Sequence, residues 1–392
     1  MISEKVGMDQ ADDEGRRKRT WDDARTVVVK VGTQVLADES GKLSRARMAD
    51  LAAQVERLRR PGRRVLLVSS GAIGAGMGRL GLAVRPTELR TLQACAAVGQ
   101  PFLMTAWEEA FAPFGCHVAQ ILLTAADFDH RVRYLNMRNT LSSLFEMGCV
   151  PIINENDTVS AAEIRFGDND TLAAMVAALV QADALVLLSG VNGLFTADPR
   201  HDPSARRVPM VRRVEDVREL AQATRSRLGT GGMRSKLKAT RLAAASGTAV
   251  FLADGGENSV IDKLAAGDDI GTLFLPEQEQ RLPAWKRWLG FTAQPSGDVL
   301  LDAGACEAVR RRGCSLLPIG VTGVTGEFGK GAVVRLVDQA GEEIGRGLSE
   351  YPSTEINKLR GLRTEQLRRL IGPLAAEEII HRDNLVVTRS GD

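Results

Sequence analysis

A chain of 392 residues has room for two or three domains and for a core that needs no disulfide or metal staples. Hydrophobic residues at 44%, charged residues at 26% and a net charge of +2 exclude a wholly disordered chain and a bulk polycation, so a nucleic-acid role would need local basic clusters. Five cysteines without CxxC spacing read as free, mostly buried thiols in a reducing cytoplasm, and four scattered histidines support neither a zinc site nor a histidine-based triad.

Residues 1–23 are charged, lack an apolar centre and read as a disordered tail, not a secretory signal. Short apolar runs then alternate with helical patterns. The strand candidates are TVVVKVG (26–32), RRVLLVSSG (63–71), HVAQILLT (117–124), VPIINEN (150–156), ADALVLLSG (182–190) and GTAVFLAD (247–254). Continuous apolar strands spaced by helices predict an α/β fold, a mainly parallel sheet sandwiched by helices over residues 24–276. The longest apolar stretch, TLAAMVAALVQADALVLLSG, is broken by Gln181 and Asp183 and reads as helix, turn and strand, with no membrane span. Residues 277–296 carry prolines and tryptophans and read as a linker. Glycine-rich, alternating runs over 297–380 predict a small β-rich domain, and 381–392 a C-terminal tail.

Four constellations fall beyond strand ends, where such sheets place ligands. Lys30 ends the first strand and is followed by Gly32 and Thr33, a layout for an anion or a lysine that snorkels. SSGAIGAGMG runs a strand into a loop with Gly71, Gly74, Gly76 and Gly78. That loop either holds an anion with Ser69, Ser70 and its N–H groups or packs a helix closely on a strand. INENDTVSAAEIRFGDND gathers Glu155, Asp157, Asp168, Asp170, Asn154 and Asn169 at an expected exposed strand end. Helix capping explains one of them, not the group. Finally, Thr230, Gly231, Gly232 and Met233 form a glycine loop feeding a helix that carries Lys236 in its first turns. Two lysines, three glycine loops and an acidic cluster on one sheet edge suit phosphoryl transfer.

At this point VVVKVGT, SSGAIGAG, INENDTVS, GDNDTLAA, GLFTADPR and GTGGMRSK together resemble the glutamate 5-kinases of the amino acid kinase family, over residues 25 to 380. GCSLLPIGVTGVTGEFGKG is similar to the PUA domain that ends many such kinases. The resemblance implies the amino acid kinase fold and ATP-dependent phosphorylation of the L-glutamate side-chain carboxylate, the first step of proline synthesis. By position it implies that Lys30 and Lys236 neutralise the moving phosphoryl group and that Asp170 orients them. Ser70, Asp157 and Asn169 would bind glutamate. Lys30, Ser189, Gly190 and the segment Thr230, Gly231, Gly232, Met233, Arg234, Ser235 and Lys236 would contact ATP. Mg²⁺ would accompany the nucleotide, with no metal held by protein ligands alone. Proline as feedback inhibitor, a homo-oligomer, hand-off to glutamyl phosphate reductase and a cytoplasmic location complete the expectation.

Two positions depart from the family pattern. Gln34 replaces the serine of GTS, and Gly190 replaces an aspartate, so nucleotide contacts there are expected to differ. The rival readings are another amino acid kinase, such as acetylglutamate kinase, and an RNA-binding protein acting through the PUA-like domain. AVRRRG and NKLRGLRTEQLRRL are the basic stretches that would serve RNA, and solvated helix faces are the favoured reading of them.

Overall fold

The computed structural model describes residues 10–38, 42–60, 62–129, 131–160, 168–217, 220, 232–276, 286, 289–290, 293–312, 314–363, 365–367 and 377–388. The chain divides into two compact units, Met1–Arg281 and Leu282–Asp392.

The first unit is built on an eight-stranded sheet. Its first strand, β1 (Thr26–Val31), is a run of valines with every residue buried, the signature of a strand covered on both faces. β2 (Arg64–Ser69), β3 (Val118–Leu123), β4 (Val150–Glu155), β5 (Ala184–Ser189), β8 (Met210–Val211), β9 (Ala249–Asp254) and β10 (Thr272–Phe274) complete it, in the order β3-β4-β2-β1-β5-β9-β10-β8. All pairings are parallel except β10 with β9. A separate ribbon pairs β6 (Leu194–Phe195) with β7 (Arg207–Val208). Strands β8 and β10 have two and three residues, too short for their apolar pattern to mark them in the sequence.

Alternation along β1 assigns the two faces. Val27, Val29 and Val31 share a core with helices α1 (Gln10–Asp23), α3 (Arg45–Arg59), α5 (Leu89–Phe111) and α10 (Val260–Ala266). Lys30 lies on the opposite face, toward α8 (Asn169–Val180) and α9 (Met233–Ala245). Further helices described in the unit are α2 (Thr33–Leu36), α4 (Ala72–Leu80), α6 (Ala125–Asp129) and α7 (Arg131–Glu146).

Several expectations are corrected. The tail over residues 1–23 is a helix from Gln10, and residues 1–9 lie outside the described set. Its Arg17 and Trp21 are each 1% exposed, and Trp21 meets Phe251 edge-on at 5.2 Å. A basic, polar composition hid that buried stripe. The glycine loop after β2 is instead helix α4, with Gly74, Gly76 and Gly78 inside it. A Cβ at Gly76 would lie 1.8 Å from Cys95 O, and one at Gly99 would lie 1.8 Å from Ala72 O, so those glycines let α4 and α5 touch backbone to backbone. The five cysteines are free, but only Cys95 is buried, and Cys314 is exposed.

The second unit is a five-stranded sheet, β12-β11-β13-β14-β15, from β11 (Asp298–Leu301), β12 (Val321–Thr325), β13 (Val333–Val337), β14 (Glu343–Leu348) and β15 (Leu385–Val387). Helices α11 (Ala303–Arg312) and α12 (Ser353–Leu359) belong to the same unit, whose core joins Val299, Leu301, Val309, Leu336, Ile344 and Ile356. β15 corrects the expected C-terminal tail: Leu385 to Val387 pair with β14 and close the sheet. In the stretch expected as a linker, much of it outside the described residues, Leu289 and Ala293 are buried.

Candidate active site

The carboxyl ends of β1, β2, β4, β5 and β9 open on one cleft of about 740 Å³. Lys30, Ser70, Asp157, Asn169, Asp170, Ser189, Gly190, Gly232, Met233 and Lys236 all line it. Of the other expected contacts, Arg234 is exposed on the first turn of α9 and, like Ser235, does not line the cleft. Thr230 and Gly231 lie outside the described residues.

At the centre stands Asp170, fully buried in the first turn of α8. Lys30 Nζ lies 2.7 Å from its Oδ1, and Lys236 Nζ donates to its Oδ2 at 2.9 Å. Burial pushes the Asp170 carboxyl up, but the charges of Lys30 and Lys236 and their hydrogen bonds outweigh it and hold the group below the usual carboxylate range. Two cations thus share one anion, with the Asp168 carboxyl beside them. The expected exposed position of Asp170 is corrected, since two buried lysines satisfy it.

Asp168 caps α8 by accepting from Thr171 N–H at 2.9 Å. Burial raises its carboxyl, against the pull of that N–H, and the Asp170 charge raises it further. Beside it, Asn169 Nδ2 donates to Ser70 Oγ at 2.9 Å and to Asn154 Oδ1 at 3.0 Å. Asn154 in turn donates to Gln100 Oε1 at 2.9 Å. A buried amide relay therefore fixes the Asn169 carboxamide and Ser70 at the mouth between β2 and β4. Asp157, half-buried, lies two residues past the end of β4.

Across Lys30 the surface changes character. Ser189 ends β5, is 7% exposed, and its Oγ has no hydrogen-bond partner among the described residues. Helix α9 follows Gly232, an N-cap residue that offers no side-chain cap, and Gly232, Met233 and Lys236 line the cleft there. A Cβ at Gly32 would lie 3.5 Å from Lys30 Nζ, so glycine keeps the space beside that ammonium open. An orphaned buried hydroxyl, an uncapped helix N-terminus and two ammonium groups form a cradle suited to a polyphosphate.

Residues 25–254 match the model of the amino acid kinase family. The chain belongs to the amino acid kinase family. Residues 297–371 match the PUA domain. A glutamate 5-kinase of Thermus thermophilus is 48% identical over 93% of this chain and 97% of its own length. That of Moorella thermoacetica is 47% identical over 93% and 96%, and that of Gloeobacter violaceus 49% identical over 92% and 98%. Among the described residues no helix is long and apolar enough to cross a membrane.

Within this family member, several residues in the cleft or behind it carry contacts that no short motif marks. Asn154 and Gln100 carry the relay, and Asn192, Asp198 and Arg200 line the cleft beyond Gly190. Asn154 stood within the polar cluster, which signalled it. Gln100 sits mid-helix, 54 residues away, with no local signal. Gly190 and Gln34 meet: a Cβ at 190 would lie 3.0 Å from Gln34 Oε1. In the second unit Arg311 is exposed and lies 3.8 Å from Glu307, whereas Arg310 is half-buried and lies 3.8 Å from Asp338.

Proposed function

We propose that this chain transfers the γ-phosphoryl group of ATP to the side-chain carboxylate of L-glutamate, forming L-glutamyl 5-phosphate, the first step of proline biosynthesis. The observation that carries the reading is the Lys30–Asp170–Lys236 cluster, set between an amide-rich pocket and an anion cradle. The relatives named above, similar along nearly the whole chain, support glutamate as the substrate.

The attacking carboxylate is ionised at neutral pH, its reference pKa being about 4.3, so the reaction needs no general base. The chain's task is alignment and charge neutralisation. In this reading Asn169 and Ser70 orient the substrate, and Asp157 pairs with its ammonium group. The Gln100–Asn154 relay holds the Asn169 amide in one orientation. Lys30 and Lys236 bracket the transferring group. Asp170 keeps both ammonium groups in place and limits their mutual repulsion, so the positive charge is aimed before substrate arrives.

Ser189, the backbone at Gly190, and Gly232, Met233 and Lys236 at the start of α9 receive the nucleotide, while Thr230, Gly231, Arg234 and Ser235 join them through the family resemblance alone. Among the described residues no group of three or more metal-ligating side chains occurs. Mg²⁺, which the family resemblance implies, would accompany the nucleotide and supply further charge neutralisation there. Proline feedback, homo-oligomeric assembly, hand-off to glutamyl phosphate reductase and a cytoplasmic location join the reading through the family resemblance alone.

The test is a glutamate-dependent ADP-release and hydroxamate assay on the purified protein, run beside N-acetylglutamate and a nucleoside monophosphate. Turnover with glutamate is expected. Turnover with another acceptor and none with glutamate would overturn the reading.

A further inference from the structure

The strand-end loop that carries Ser189 and Gly190 is held from behind by a turn, and that turn is held by helix α1. Both the helix and the turn lie outside residues 25–254, the segment that matches the kinase family.

Arg17, 1% exposed, reaches from α1 into the sheet edge. Its guanidinium donates to Ile270 O at 2.8 Å, Gly271 O at 3.0 Å and Pro209 O at 2.5 Å. Arg207 also donates to Gly271 O and lies 2.6 Å from Asp269. The other side of the turn faces the cleft loop. Gly271 N–H donates to Asn192 Oδ1 at 2.8 Å. Thr272 Oγ1 accepts from Leu194 N–H at 2.8 Å and donates to Val208 O at 2.6 Å.

The junction has no slack. A Cβ at Gly193 would lie 2.5 Å from Thr272 Oγ1, and one at Gly271, where φ is +60°, would lie 2.3 Å from Leu252 O. A guanidinium is a rigid fork of donors, so it fixes several carbonyls at once where an ammonium fixes them singly. Displacing it leaves Ile270 O without that donor, Gly271 O held by Arg207 alone and Pro209 O by Leu273 N–H alone, so the turn loses its shared anchor on α1 and shifts. Because backbone and loop are in contact across the turn, that movement reaches Asn192.

We propose that Arg17 is a positioning residue for nucleotide binding: it sets the Ile270–Thr272 turn, and the turn sets Asn192 and Leu194 at the nucleotide edge of the cleft. The inference rests on the nucleotide role given above to Ser189 and Gly190. Helix α1 then belongs to the ATP-binding apparatus, although no residue of it lines the cleft.

The test measures calorimetric binding of a non-hydrolysable ATP analogue to the full chain, with steady-state kinetics alongside. Arg17→Met keeps the apolar body and removes the fork. It is expected to weaken analogue binding and raise the KM for ATP about three- to tenfold, with the KM for glutamate within about twofold of wild type. Asn192→Ala approaches the same junction from the cleft and is expected to act alike. The double variant should be no weaker than the worse single variant, because both break one connection. Trp21→Phe, on the same helix but outside the junction, should lower the melting temperature and leave analogue binding unchanged.

An Arg17→Met protein that melts lower yet binds the analogue like wild type would overturn the proposal. So would equal losses for ATP and glutamate, or additive single variants. If Arg17→Met does not fold, Thr272→Val alone decides, since wild-type analogue affinity there has the same consequence. Absence of glutamate turnover in the wild type would remove the glutamate reading and leave the calorimetry intact.

Discussion

Lys236 Nζ donates to Asp170 Oδ2 at 2.9 Å although Lys236 and Asp170 stand 66 residues apart on different helices. The same carboxylate takes Lys30 on its other oxygen. Both ammonium groups are held by that contact, and in the proposed reading they are already in position when the phosphoryl group moves. Such preorganised charge acts mainly on the transition state. Lys236→Ala and Lys30→Ala should each lower kcat about 10²- to 10³-fold, with glutamate binding still detectable by calorimetry. Near-wild-type kcat in either variant would remove that lysine from the mechanism.

Asp170 is also a stability element. Asp170→Asn leaves two buried ammonium groups without their counter-charge, a change that costs about 3–5 kcal/mol for buried pairs. Its folded pKa is depressed, so its contribution is full above the unfolded value of about 3.9 and is lost as pH falls through the lower folded value. The gap in melting temperature between wild type and Asp170→Asn should therefore be wide and constant from neutral pH down to about pH 5. It should narrow only below about pH 4. A gap that closed between pH 5 and 7 would contradict the ion-pair account.

Much of this site was readable before any fold was known, because its chemistry sits in short strings. Lys30 follows three valines, Asn154 to Asp157 end a strand, and Asp168 to Asp170 open a helix. What strings cannot carry is partnership across the sheet. Gln100 looks like one more polar residue in a helix until Asn154 is placed beside it. Arg17 looks like part of a basic tail because its acceptors are carbonyls 192 to 254 residues away, which have no side-chain signature. The glycines of SSGAIGAG misled for a related reason: glycine marks both a loop and a tight helix contact, and only the approach of Cys95 separates the two.

In the proposed reading Asp157 serves a different part of the chemistry from the lysines. Asp157→Asn keeps the shape and removes the charge offered to the substrate's ammonium. The KM for glutamate should rise about ten- to a hundredfold, as for a lost charge-assisted hydrogen bond, with the KM for ATP unchanged. Melting should be close to wild type, since the side chain is only half-buried. Equal effects on both substrates in steady-state kinetics would show a general distortion of the β4 end.

The described residues that line the cleft all belong to the first compact unit, and the second unit has a core of its own. A chain ending at Arg281 should give one cooperative melt and retain glutamate-dependent ATP turnover. A folded truncation without turnover would mean that the second unit contributes to the site or to assembly.

The pair Gln34 and Gly190 offers the sharpest comparison with the family pattern, in which a serine and an aspartate stand at these positions. Here the longer residue stands at 34 and the shorter at 190, and a Cβ at 190 would come within 3.0 Å of Gln34 Oε1. The two departures therefore share one space. Gly190→Asp alone should crowd the Gln34 carboxamide and set two acceptor oxygens against each other, weakening ATP binding. Gln34→Ser alone should open the space and change the KM for ATP less. Gln34→Ser combined with Gly190→Asp restores the family's pairing of sizes, so its KM for ATP should fall below that of Gly190→Asp alone. The coupling between the two positions should reach about 0.5–3 kcal/mol in a double-mutant cycle, the range found for residues in contact. Strictly additive effects on the KM for ATP would show that the two positions changed independently.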